Sequence, residues 1–175
     1  ALFAVAIAYS FDLANDEINM GFNNVQMTGM RLEINVAQSG MKVINDTYNS
    51  SPTSVRSALH TLLDLNPHME KWVLLGDMNE LGKEEESYHR ALGEYIAKEN
   101  VSRIYTIGYR GRWIGNAAQR VNQDAKRIIN HFPSISSAAE ELIKEGHNNV
   151  MLLVKSSRAL QLEKVVTYLI KGRVE

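Results

Sequence analysis

The sequence predicts an α/β fold: a three-layer sandwich on a mostly parallel sheet, entered through an N-terminal hairpin. Three observations predict it. Short runs of Val, Ile and Leu exchange with helix-length amphipathic stretches about every ten to fifteen residues from Pro52 onward, the rhythm of βα units. The runs "KWVLLGD" and "NNVMLLVKSS" are apolar without interruption and end in polar clusters, as buried strands do. Caps and turn formers stand at the junctions: Ser39-Gly40, Pro52, Ser134 and Gly146.

Taken in order, "ALFAVAIAY" (residues 1–9) has about half the length that a membrane helix needs and lacks the basic flank of a signal peptide. It reads as the end of a buried helix and is expected to lie in a core. The chain begins inside this apolar run and without Met, the look of a piece of something larger. "ANDEINMGF" (14–22) reads as a short helix with Asn15 as its N-cap. "MTGMRLEINVAQSGMKVINDTYN" places two β-rich stretches around Ser39-Gly40, the pattern of a hairpin, and a domain boundary falls near Gly29.

"PTSVRSALHTLLDL" opens with Pro52 in a first turn and sets Val55, Leu59, Leu62 and Leu63 on one helical face. "KWVLLGD" is a buried strand. "EEESYHRALGEYIAKEN" carries acids at its start and Lys98 near its end, as a helix dipole favours. "VSRIYTIG", "RWIGNAAQRV" and "KRIINHF" read as strand, helix and strand. "SISSAAEELIKEG" is a helix between a Ser cap and a terminal Gly. "NNVMLLVKSS" is the last buried strand and "QLEKVVTYLIKG" the last helix.

Composition narrows the function. Nineteen basic and twenty acidic residues leave a formal charge of −1, so no global field holds a nucleic acid or an anionic membrane. There is no cysteine, which removes disulfides and thiolate metal sites and is compatible with the cytoplasm. His60, His68, His89, His131 and His147 form no pair at metal-ligand spacing. Met20, Met27, Met30, Trp72 and Trp113 read as packing residues; His89, one turn into the helix after Glu80, either packs, sits at the surface or faces the crevice.

Three predicted strands end in polar clusters: Asp46 to Asn49, Asp77 to Glu80, and Lys155 to Arg158. In a parallel sheet all three would share the edge where ligands bind. Lys155, Arg158 and the hydroxyls of Ser156 and Ser157 can hold a carboxylate or phosphate. Asp46 and Asp77 can accept from ribose hydroxyls, from an amine, or from waters on a divalent ion. Ordinary turn chemistry also places such residues after strands. "GDMNELGKE" falls short of a phosphate-binding P-loop: its second Gly comes one residue late and Glu84 follows Lys83. "GYRGRWIG" (108–115) is spaced wrongly for a dinucleotide fingerprint. No nucleophile elbow is present.

The ordered set "TGMRLE", "INDTYNSSPTSVRSAL", "VLLGDMNELG", "YHRALGEYI" and "LLVKSSRALQLEKVV" resembles the carboxyl-terminal domain of the Mur ligase family, from about Gly29 to the end. The likeness is strongest to the branch that joins D-Ala-D-Ala to UDP-N-acetylmuramoyl-tripeptide in peptidoglycan precursor synthesis. It implies a Rossmann-like domain over residues 29–175. Residues 1–28 would be the remnant of a central ATPase domain, which in the family carries the P-loop and the magnesium ligands. The implied reaction is ATP-dependent amide formation through an acyl phosphate, by a cytoplasmic, monomeric enzyme; this chain alone would be inactive.

By resemblance, Arg31, Asp46 and Asn49 contact the nucleotide. Lys155, Ser157 and Arg158 match the segment near the incoming dipeptide, and Asp77, Asn79 and Glu80 line the same crevice. The resemblance assigns this chain no catalytic residue and no metal ligand; ATP and Mg2+ would be held mainly by the central domain. Two departures stand out: Ser156 replaces the family's usual Gly, and "NSSP" replaces a more usual Asn-Ala-Asn-Pro or Asn-Ala-Ser-Pro. The competing reading is a stand-alone module that binds a nucleotide or a small acid without catalysis.

Overall fold

Period-two alternation along the central strands builds two apolar layers on one sheet. The structure, a computed structural model, describes residues 2–24 and 29–174. Its strands are β1 (Glu33–Val36), β2 (Lys42–Asp46), β3 (Glu70–Leu75), β4 (Arg103–Ile107), β5 (Ile128–Phe132) and β6 (Val150–Lys155). They form one sheet in the order β1-β2-β6-β3-β4-β5. Only β1 is antiparallel, paired with β2 as a hairpin. The expected turn is there: Gly40 takes a left-handed φ of 84°, and the Ala37 N–H donates to the Met41 carbonyl at 2.9 Å.

The helices are α1 (Leu2–Ser10), α2 (Asn15–Asn23), α3 (Pro52–Asp64), α4 (Glu85–Ile96), α5 (Gly111–Val121), α6 (Ile135–Glu145) and α7 (Glu163–Lys171). On one face Ile44, Val73, Leu75, Ile104, Met151 and Leu153 meet α3, α4 and α5. On the other Val43, Trp72, Leu74, Tyr105, Leu152 and Val154 meet α6 and α7. Crossovers through α3, α4 and α5 carry the chain outward to β5, and α6 returns it on the opposite face to β6, at the centre. Right-handed connections impose that switch of face. In α3 the predicted stripe holds for Val55, Leu59 and Leu62, which are buried; Leu63 is only partly covered.

Some expectations change. The apolar α1 was expected in a core, yet it buries none of its residues, with Leu2 and Phe3 88% and 85% exposed; among the described residues α2 borders it without burying it. Asn15 is not the N-cap of α2 but its first helical residue. Glu17, three positions past Ala14, accepts from the Ala14 N–H at 2.9 Å, while the Asn15 side chain accepts from the Tyr9 hydroxyl at 2.6 Å. Met20 is 60% exposed and fills no core gap. Met30 is half-buried, and Met27 lies outside the described residues. Trp72 is buried, as a packing residue should be.

An arginine closes the end of α4. The Arg127 guanidinium donates to the carbonyls of Ala97, of Glu99 at 2.6 Å and of Val101 at 2.7 Å, supplying partners that a helix terminus lacks.

Candidate functional site at the carboxyl edge of the sheet

Because β6 lies between β2 and β3, Lys155 is the register partner of both Asp46 and Leu75. The three polar clusters therefore stand side by side on one rim. Their side chains divide into two groups with different work.

The first group surrounds Lys155, only 2% exposed. Its ammonium donates to Asp46 Oδ2 at 2.6 Å and to the Asn49 carbonyl at 2.7 Å, so two of its three hydrogens bind the end of β2 and the loop after it. Asp46 Oδ1 accepts in turn from the Leu32 N–H at 3.3 Å, and the Tyr48 N–H donates to the Met30 carbonyl at 3.2 Å. These bonds deliver the neighbouring Arg31 to the rim, where its guanidinium lies 4.3 Å from the centre of the Tyr48 ring, a cation–π contact. Arg31, Leu32 and Asp46 face Ser54, Ser57 and Ala58 of α3 across a cleft of about 280 Å³. Asn49 is exposed, and its side-chain oxygen accepts from the Ser50 N–H at 2.8 Å. Among the described residues the Ser50 hydroxyl is buried without a partner.

The second group centres on the loop after β3. Asp77 is buried, and its Oδ1 accepts from the Arg110 and Gly111 N–H groups, both at 2.8 Å. The carboxylate thus caps the positive end of α5. Gly108, at φ 92°, makes room: a Cβ there would stand 2.4 Å from Asp77 Oδ1. The Asp77 carbonyl accepts from the Ser157 N–H at 2.8 Å, and Ser157 Oγ accepts from the Asn79 N–H at 2.8 Å. Glu80 is exposed at a left-handed φ of 63°. Arg158, also exposed, reaches Glu163 at 3.4 Å and the Met30 sulfur at 2.7 Å.

Ser156, where the family more often has Gly, is fully buried. Its Cβ would come within 2.7 Å of a Cβ added to Gly76, so the bare Gly76 accommodates it and the serine side chain stays off the rim.

The sequence left His89 open between packing, surface and crevice; the structure places it behind this loop. His89 of α4 is buried. Its Nε2 accepts from the Met78 N–H at 3.0 Å, and its Nδ1–H donates to the Glu85 carbonyl at 2.6 Å. Burial pushes its pKa below the usual 6.5, against opposing influences from the Glu85 carbonyl and Asp77. Arg110 pairs with Glu85 at 2.6 Å; that hydrogen bond raises its pKa despite partial burial. Tyr48 was legible within "NDTYN", but no spacing announces that His89 reaches Met78.

Among the described residues no three His, Asp or Glu side chains converge as metal ligands. Nor is any helix of the described residues long and apolar enough to cross a membrane.

Residues 30–158 match the family model described as Mur ligase, glutamate ligase domain. The chain belongs to the Mur ligase family. It is 32% identical over 172 residues to the UDP-N-acetylmuramoyl-tripeptide–D-alanyl-D-alanine ligase of Bacillus subtilis, covering 98% of this chain and 37% of that protein. A MurF from Acinetobacter baumannii superposes with a TM-score of 0.82 at 26% identity, covering 96% of this chain and 36% of the other. A MurF ligase of Thermotoga maritima, solved in complex with ADP, shares the fold with a TM-score of 0.77 at 22% identity, over 96% of this chain and 36% of its own length. The chain thus spans a little over a third of the length of these relatives.

Proposed function

We propose that this chain is the terminal domain of an ATP-dependent ligase that joins D-Ala-D-Ala to UDP-N-acetylmuramoyl-tripeptide. The observation that carries the reading is the shared rim, where Arg31 and Asp46 border an open cleft and Ser157 and Arg158 follow from the adjacent strand. Arg31 faces that cleft and, among the described residues, pairs with no carboxylate, which leaves it fit for a phosphate or ribose. Asp46 and Asn49 border the same nucleotide side. Ser157 and Arg158, with Asn79 and Glu80, form the dipeptide side, while Lys155 and Asp77 hold the rim together from beneath.

Residues 1–28 belong on this reading to a central ATPase domain, which would supply the P-loop and the magnesium ligands and would cover the exposed apolar side chains of α1 and α2. Domain closure would then exclude water from an acyl phosphate. The enzyme would work in the cytoplasm as a monomer, without nucleic acid or membrane.

The test is Arg31→Ala in a full-length ligase carrying this chain. Loss of one charge-assisted bond should lower kcat/KM for ATP by on the order of 1–3 kcal/mol; unchanged kinetics remove the nucleotide role. Calorimetry on the 175-residue chain separates the competing class, since a stand-alone sensor binds ATP or a small acid tightly by itself and a ligase domain does not.

A further inference from the structure

Three successive residues after β3 are pinned by three different elements. Asp77 is held by the start of α5 through its carboxylate and by Ser157 through its carbonyl. Asn79 is held by the Ser157 hydroxyl. Met78, between them, is held by His89 alone among the described side chains. Backbone N–H groups this deeply placed need acceptors, and a ring nitrogen can accept only in a neutral imidazole. The second bond settles which nitrogen carries the hydrogen: Nδ1 lies 2.6 Å from a carbonyl, which can only accept, so Nε2 is the bare one.

The charged groups around the ring pull in opposite directions. Asp77 from the loop and Glu85 from α4 favour a proton, Arg110 ahead of α5 opposes it, and the Trp113 ring of α5 packs edge-on at 5.7 Å.

We propose that His89 is a positioning residue for the crevice: as the neutral Nδ1–H tautomer it locks the Asp77–Asn79 loop and through it aims the Ser157 hydroxyl. Ser157 is only 3% exposed, and because its Oγ accepts from the Asn79 N–H, its own hydrogen is left for a carboxylate brought against the rim. The inference deepens the ligase reading and rests on it for the identity of that carboxylate, the incoming dipeptide's.

Two substitutions divide the ring's functions. His89→Gln sets an amide oxygen where Nε2 stands and keeps an acceptor for Met78. His89→Asn keeps a donor for the Glu85 carbonyl and removes that acceptor. On the 175-residue chain, nitrogen-15 NMR should show the neutral Nδ1–H tautomer at neutral pH. Amide exchange at Met78 and Asn79 should stay slow in His89→Gln and speed at least tenfold in His89→Asn. The opposite tautomer, or equal exchange in the two variants, overturns the proposal whatever the chain's function.

In a full-length ligase carrying this chain, His89→Asn should raise KM for the dipeptide about tenfold, the loss of one well-placed bond, with KM for ATP unchanged and His89→Gln near wild type. A merely structural role would move both constants or neither. If Ser157→Ala raises the dipeptide KM and His89→Asn does not, the loop does not aim the hydroxyl and the proposal fails. If Ser157→Ala also has no effect while the NMR result holds, the proposal fails as well, and the fault lies in the dipeptide reading of Ser157 and not in the His89 bond.

Discussion

Replacing Lys155 with Met tests whether the rim is built on a buried charge. The side chain is 2% exposed and makes two hydrogen bonds, to Asp46 Oδ2 and to the Asn49 carbonyl. Met fills most of the space of the lysine stem, so the cavity contribution is small and the polar loss dominates. Two groups lose their partner: a carboxylate that keeps only the 3.3 Å bond from Leu32, and a backbone carbonyl. Breaking a buried pair by removing one member costs about 3–5 kcal/mol. The Asp46 side chain is 13% exposed and recovers some hydration, which places the expectation near the lower end, about 3 kcal/mol. Urea unfolding of the 175-residue chain should show a midpoint lowered by about 1–2 M with an unchanged slope. The double variant Lys155→Met with Asp46→Asn should regain at least about 1 kcal/mol relative to additivity, since the uncompensated carboxylate is gone. A loss below about 1 kcal/mol for Lys155→Met alone would refute the reasoning, because it would put the pair in the range of exposed surface bridges.

Two further outcomes are expected. Arg127→Ala should cost about 2–3 kcal/mol by leaving the carbonyls beyond α4 without donors, read as a fall of about 5–10 °C in Tm; Arg127→Lys should recover only part, because one ammonium cannot span the carbonyls that the guanidinium fork reaches. Burial holds both His89 and His131 below the usual 6.5, with Arg112 lowering His131 further and Asp77 opposing. Between the folded and unfolded pKa values the unfolded chain carries the proton and the folded one does not, so stability is full above about 6.5 and falls as pH drops below it. Urea midpoints measured from about pH 7 to about pH 5 should decline, less steeply in His89→Gln; equal slopes would remove His89 from the account.

Much of the fold was legible because its signals are local. The stripe Val55, Leu59, Leu62 follows from helical period, the hairpin from Ser39-Gly40, and the uninterrupted run at Val150–Lys155 from a strand covered on both faces. The apolar α1 departs from its expectation for a related reason: apolarity records what a segment prefers to contact, and the described residues beside it, chiefly those of α2, leave all of its side chains short of full burial. Of the proposed site residues, Arg31, Asn79, Glu80, Asn49, Ser157 and Arg158 remain candidates for ligand contact. The charges of Lys155 and Asp77 turn inward, a distinction that no property of the residues themselves reveals.

The order of elements, the faces they bury and the polar endings of three strands belong to the sequence alone, because period, caps and turns act over a few residues. Which charges stay available was decided only by tertiary structure. Placing β6 between β2 and β3 brings Lys155 to Asp46 across 109 residues and Ser157 to Asn79 across 78. In so buried a place a charge or an amide must take the nearest partner, and strand order determines which partner that is.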